Sequence, residues 1–252
     1  MAPAAATGAD VVAPGALGLA GVPVVVDAAT LERIVSALRR DGAVVVPDAL
    51  PLVVLDGLRA SCERRDDAAF VEAGVGRGAD YRVLDDVRRD RILWLDPDDE
   101  AVRWYFAWAD GLRLALNRML FLGLFDYECH FARYPPGGFY RLHVDAFRGR
   151  GNRRVSSVLY LNADWTPADG GELVLYPAVG VAVVAEPATE PAVELGAAQI
   201  VAPRYGTLVL FLSEEIPHEV LPVGRERTSV AGWFRVKASD AEVVDPPIAP
   251  FS

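Results

Sequence analysis

Lysine is all but missing from this 252-residue chain: Lys237 is the only one, and arginine carries the remaining positive charge. Acidic residues outnumber basic ones by 35 to 25, for a net charge of −10. Neutralising a polyanion needs clustered cations, so neither nucleic acid nor an anionic membrane surface is expected as a partner. Cysteine is nearly as scarce. Cys62 and Cys129 stand alone, outside any Cys-x-x-Cys pair, which excludes a disulfide framework and fits reduced thiols in a cytoplasm. Long apolar runs are missing too, with no window near the roughly 18 uninterrupted apolar residues of a membrane-spanning helix. Residues 1–29 are rich in Ala, Val, Gly and Pro. They hold no basic residue and are broken by Pro14, Gly15, Gly18, Gly21 and Pro23, whereas a secretory signal needs a basic start and an unbroken apolar stretch. We therefore expect a flexible leader over residues 1–22 and a single cytoplasmic domain over 23–252.

What is present describes a globular protein with a sizeable core: 52% hydrophobic and 24% charged residues. In "DAATLERIVSALRRDG", Leu31, Ile34, Val35 and Leu38 form one helical stripe, and Gly42 ends it. "AVVVPD" reads as a short buried strand, and "LPLVVLDGLRASCERR" as a second helix with Pro51 near its first turn. Residues 66–88 mix charge with glycine and carry no clean period, so they are expected to form a loop. "RILWLD" is a strand. "DDEAVRWYFAWADGLRLALNRMLFLG" opens with acids suited to a helix N-terminus and continues as a long amphipathic helix.

From residue 125 the pattern becomes β-rich: "YECHFARY", "RLHVDAF", "VSSVLYLN", "GELVLYP", "GTLVLFL", "HEVLPV" and "TSVAGWFRV" are separated by Gly, Pro, Asn or Asp. Many strands after a helical first half predict an α+β, mainly β fold, a sandwich or barrel backed by N-terminal helices. Residues 177–204, long and rich in Pro and Ala, predict an elaborated loop or an extra hairpin at the barrel rim.

Only three histidines occur in the chain. On a strand, His143 and Asp145 point the same way, with Leu142 and Val144 on the other face. The pair alone does not identify a site. His218, in "IPHEV", follows on a later strand, and two histidines with one carboxylate make the facial triad of a non-haem iron(II) centre, which leaves positions open for substrate and O₂. Arg227 follows across a Pro222–Gly224 turn, sharing a strand face with Ser229, Ala231 and Trp233. A buried arginine demands an anion, and its planar fork suits a carboxylate, so a dicarboxylic cosubstrate is expected. Arg225 is the alternative anion binder or else a solvated turn residue. His130 is either a structural histidine or part of the site, while Trp165 and Trp233 read as core.

The blocks "ARYPPGGFYRLHVDAF", "SSVLYLNADW", "GGELVLYP", "GTLVLFLSEEIPHEV" and "RERTSVAGWF" together resemble the prolyl-4-hydroxylase-type 2-oxoglutarate/Fe(II) oxygenases. The similarity is to the branch that holds the bacterial homologues of the oxygen-sensing prolyl hydroxylases. It covers about residues 125–237, with a weaker echo in "DVRRDRILWL". The resemblance implies a double-stranded β-helix (jelly-roll) core over that range. It implies His143, Asp145 and His218 as iron ligands, and Arg227 and Tyr160 on the far carboxylate of 2-oxoglutarate. Tyr134 and Tyr140 are implied near cosubstrate and substrate, although the turn between Tyr134 and His143 is a residue shorter than in the animal enzymes. The implied cofactors are Fe(II), 2-oxoglutarate and O₂, with ascorbate as a further candidate. The implied reaction is hydroxylation of an unactivated C–H bond with release of succinate and CO₂. The substrate expected is a prolyl residue of a protein or peptide, covered by the Gly-rich 66–88 segment with Phe70 and Tyr81 in contact. A small-molecule tailoring hydroxylase, or a cupin-like metal protein without 2-oxoglutarate chemistry, remains the alternative.

Overall fold

The structure, a computed structural model, describes residues 26–75, 82–146, 151–177 and 197–237; the expected leader, Tyr81 and most of the 177–204 insertion lie outside them. The chain runs α1 (Ala28–Asp41), β1 (Ala43–Val46), α2 (Leu52–Glu63), β2 (Val71–Glu72), β3 (Arg91–Trp94) and α3 (Glu100–Leu120). Eight strands follow: β4 (Asp126–Tyr134), β5 (Tyr140–His143), β6 (Arg153–Tyr160), β7 (Leu173–Leu175), β8 (Gln199–Val201), β9 (Leu208–Leu212), β10 (His218–Val220) and β11 (Arg227–Arg235). They form two antiparallel sheets, one of order β1-β9-β6-β11-β4-β3-β2 and one of order β5-β10-β7-β8. This is the two-sheet arrangement that the strand-rich second half predicts, consistent with the jelly-roll that the resemblance implies.

Local chemistry explains the helices. The Asp27 carboxylate accepts from the Thr30 amide at 2.9 Å to start α1, and Gly42, in the left-handed region at φ 71°, ends it. Asp99 caps α3 by accepting from Ala101 N–H. Ile34, Leu38, Val54, Leu58, Tyr105, Trp108 and Leu112 from the three helices are buried in one cluster with Tyr127, Cys129, Phe131, Leu208, Leu210 and Val230. These strand residues alternate along β4 and β9 with Ala132, Tyr134, Val209 and Phe211, which belong to a second buried cluster. There they meet Leu173, Leu175 and Val220 of the smaller sheet. The large sheet therefore carries helices on one face and the smaller sheet on the other, each fully buried large side chain contributing about 1.5–3 kcal/mol. The functional residues border the second cluster.

Two expectations need correction. Residues 66–88 are not a plain loop: β2 pairs with β3, and Val75 bridges Arg82. Phe70 is 2% exposed, under the Arg133 guanidinium, so it is core and not a substrate contact. Backbone pairing to a neighbouring edge leaves no periodic signal in so short a segment, which is why the pattern hid it. Second, β5 ends at His143, so Asp145 lies beyond the strand and its direction does not come from strand alternation. The 177–204 segment does include β8, which pairs with β7 as the edge of the smaller sheet; residues 178–196 of the expected loop or hairpin lie outside the described residues.

Candidate metal centre and cosubstrate pocket

His143 and His218 are direct cross-strand partners on β5 and β10, and antiparallel pairing brings their rings to 4.2 Å between centroids. Asp145 completes the group. Its Oδ1 lies 3.6 Å from His143 Nε2 and its Oδ2 3.7 Å from His218 Nε2. One donor atom from each residue falls within 4.8 Å of the others, the only such trio of His, Cys, Asp or Glu among the described residues.

Each histidine is oriented through its other nitrogen. His143 Nδ1 lies 2.8 Å from the Arg141 carbonyl and His218 Nδ1 3.0 Å from the Ile216 carbonyl. A carbonyl only accepts, so both Nδ1 atoms carry the proton and both Nε2 lone pairs face the centre. Tyr140 stacks on His143 at 3.5 Å and Phe211 packs on His218 at 4.5 Å, which fixes the ring planes. Burial, followed by neighbouring His143, pushes His218 down to about 4, so it is neutral and able to ligate near pH 7. Burial of Asp145 favours the protonated acid, but His218 and His143 outweigh it and hold the carboxyl well below its usual range. Two imidazole nitrogens and one carboxylate suit Fe(II).

Asp145 has further support. Ser156 on β6 donates to its Oδ2 at 2.6 Å, and Ser213, just past β9, lies 2.9 Å from the Ser156 hydroxyl. The sequence did not announce these serines; Ser156 shares one face of β6 with Val158 and Tyr160.

Arg227 opens β11 and is 1% exposed. Its guanidinium lies 4.9 Å from the Tyr134 ring and 5.0 Å from the Tyr160 ring. Among the described residues no carboxylate pairs with it, and neither Arg227 Nε nor the Tyr160 hydroxyl has a hydrogen-bond partner. Burial raises the Tyr160 pKa, only partly offset by Arg227, so its hydroxyl keeps its proton and can donate. An unpaired buried cation costs several kcal/mol, and a partnerless hydroxyl beside it adds to that. Both penalties vanish when a carboxylate enters, so the residues fit the distal end of 2-oxoglutarate. Gly171 makes the room: at φ 69°, a Cβ there would sit 2.5 Å from Val223 Cγ1 and 3.1 Å from Arg227 Cδ.

Arg225 does not compete. It donates to the carbonyls of Ala163 and Asp164, pairs with Asp169 at 3.3 Å and covers the Trp165 ring, so it fastens a turn. His130 is buried between Trp94 and Trp233, each 5.4 Å away, and resolves as a packed structural histidine. Trp165 is core, donating to the Gly170 carbonyl, whereas Trp233 is half-buried beneath Arg153 at 3.5 Å. Glu128 holds Arg153 and also receives Arg235, an arrangement that "RRVSS" and "YECH" do not announce. Arg88 was equally illegible. It grips Asp90 with two bonds, donates to the Gly74 carbonyl and covers Tyr140 at 4.2 Å, tying the 71–75 segment to the ring stacked on His143.

Known proteins share this framework. The 2OG-Fe(II) oxygenase superfamily model matches residues 129–235. The crystal structure of a Pseudomonas putida prolyl-4-hydroxylase is 44% identical, with a TM-score of 0.70 over 82% of this chain and 100% of that one. A Trichoplax adhaerens prolyl hydroxylase in complex with a hypoxia-inducible factor peptide fragment is 24% identical, with a TM-score of 0.67 over 81% of this chain and 88% of that one, a likeness of fold. Among curated proteins, the hypoxia-inducible factor prolyl hydroxylase of Caenorhabditis elegans is 28% identical over 170 residues, 62% of this chain. The chain spans 21% of that relative's length.

Proposed function

This chain belongs to the 2OG-Fe(II) oxygenase superfamily, and on that premise we propose that it hydroxylates a prolyl residue of a protein or peptide, converting 2-oxoglutarate and O₂ to succinate and CO₂. The observation that carries the reaction class is the His143, Asp145 and His218 cluster, together with a buried Arg227 that pairs with no carboxylate among the described residues and has Tyr160 beside it. When bound, Fe(II) supplies O₂ activation and C–H bond cleavage, chemistry that no side chain provides. His143, Asp145 and His218 hold the metal. Arg227 and Tyr160 anchor the distal carboxylate, so the keto acid enters in one orientation. Tyr134 lines the pocket under Arg227, and Tyr140 keeps His143 in plane. The apolar cluster between the sheets keeps water from the reacting groups.

The 44% identity to the Pseudomonas putida prolyl-4-hydroxylase, over that protein's whole length, supports proline as the target. Exposed Val83 and Leu84 lie on the segment that hydrogen-bonds to β5 and offer apolar contact to a peptide. The proposal reads residues 23–252 as one oxygenase domain after a leader over 1–22, acting in the cytoplasm, with ascorbate sustaining turnover. No helix among the described residues is long and apolar enough to cross a membrane. Mass spectrometry of host proteins from cells with and without the enzyme tests the substrate: one added oxygen on proline, present only with active enzyme, is the expected result. Strong stimulation of turnover by a free metabolite, with proline peptides inert, replaces it with a small-molecule hydroxylase.

A further inference from the structure

We infer that Ser156 and Ser213 are positioning residues that hold Asp145 as a one-oxygen ligand; the inference rests on the metal-centre reading above. Asp145 lies past the end of β5, so no strand ladder fixes it. What fixes it converges on Ser213. The Ser213 carbonyl accepts from the Ala146 N–H at 3.2 Å, tethering the backbone next to Asp145, while its hydroxyl backs Ser156. An ionised carboxylate only accepts, so the single Ser156 hydroxyl proton goes to Asp145 Oδ2, and Ser213 must donate to Ser156. The proton order of this relay is therefore determined. Ser156 and Ser213 are 1% and 0% exposed, so no bulk water competes for these bonds. Ser156 also sits on β6, a central strand paired to β9 and β11, which is a rigid support.

The chemical consequence is a coordination count. The Ser156 bond occupies one lone pair of Oδ2 and biases the carboxylate toward offering Oδ1 to the metal. Two histidine nitrogens and one oxygen leave half of an octahedral shell open, room for a chelating keto acid and O₂. A carboxylate free to turn and bind through both oxygens takes one of those positions. The serines thus protect an open site as well as strengthening a ligand.

The test uses Mn(II), a redox-inert probe, with the full chain. Mn(II) affinity is measured for the wild type, Ser156→Ala and Ser213→Ala, alongside the apo melting temperature and the anaerobic absorption of the Fe(II)–2-oxoglutarate complex. Ser156→Ala is expected to bind Mn(II) about 10- to 100-fold more weakly and to shift the absorption. Ser213→Ala shifts both in the same direction by less, and it carries the test if Ser156→Ala does not fold. A purely structural role lowers the melting temperature but leaves affinity and absorption at wild-type values, and that result overturns the inference. Wild-type protein that binds no Mn(II) instead overturns the metal centre, a separate failure.

Discussion

Arg227 carries a full charge into a site that is 1% exposed and that offers it two aromatic rings and, among the described residues, no carboxylate. Adding 2-oxoglutarate with metal should therefore raise the melting temperature, because a ligand that binds only the folded chain stabilises it by mass action. Arg227→Ala should abolish that rise and increase the 2-oxoglutarate requirement about 100-fold or more, since a desolvated charge-assisted pair is lost. Arg225→Ala, which removes only a turn fastener, should leave the requirement near wild type. The reverse pattern, measured by succinate formation against 2-oxoglutarate concentration, moves the anion site two residues along the chain. At this scale rarity made residues legible. Three histidines leave few combinations, and Arg227 was legible from its place on a strand face, where a buried arginine needs an anion. Ser156 and Ser213 escaped because serine is at home in strands, turns and surfaces alike, and only a 2.6 Å contact tells which role it has.

Long strands and helices were legible for a physical reason: each helix buries one apolar face, and the long strands of the large sheet bury side chains against a partner. α1 and α3 match the stripes read from sequence, as do β4 and β11, because all four cover apolar surface. β2 and the end of β5 were not legible. A two-residue strand has no period, and β5 stops where Asp145 turns aside to meet Ser156. Packing between elements gives a sharp test at Gly57. A Cβ there would approach Ala101 Cβ to 2.8 Å where α2 meets α3. Gly57→Val should cost about 1–3 kcal/mol in urea unfolding, with succinate formation per folded molecule unchanged. The segment between β2 and β3 predicts a different split. Leu84→Asp should impair hydroxylation of a proline peptide while sparing the slow conversion of 2-oxoglutarate without peptide. Equal loss of both activities would place Leu84 in the fold and not at the substrate.

For the molecule as a whole, two buried histidines set the response to acid. Burial first, then Arg88 for His130 and His143 for His218, lowers each from 6.5 to about 4. The unfolded chain therefore binds more protons than the folded chain between those values. Stability is full above about pH 6.5 and falls as pH drops toward 4, by up to about 3 kcal/mol per histidine. His130→Met should recover part of that loss without touching the centre, even though Arg88, Asp90 and Arg153 all act on the site. Metal loading should steepen the acid limb, because protonated histidine cannot ligate. A melting profile flat from pH 7 to pH 4 would contradict the buried, neutral state of both rings.

The central claim is that His143, Asp145 and His218 hold the metal that turns over 2-oxoglutarate. Succinate formation by wild type and by Asp145→Ala, each shown by circular dichroism to be folded and each supplied with Fe(II), 2-oxoglutarate and O₂, tests it most directly. The account predicts Fe(II)-dependent succinate from the wild type and background from Asp145→Ala. Wild-type rates from the Asp145→Ala protein would contradict it.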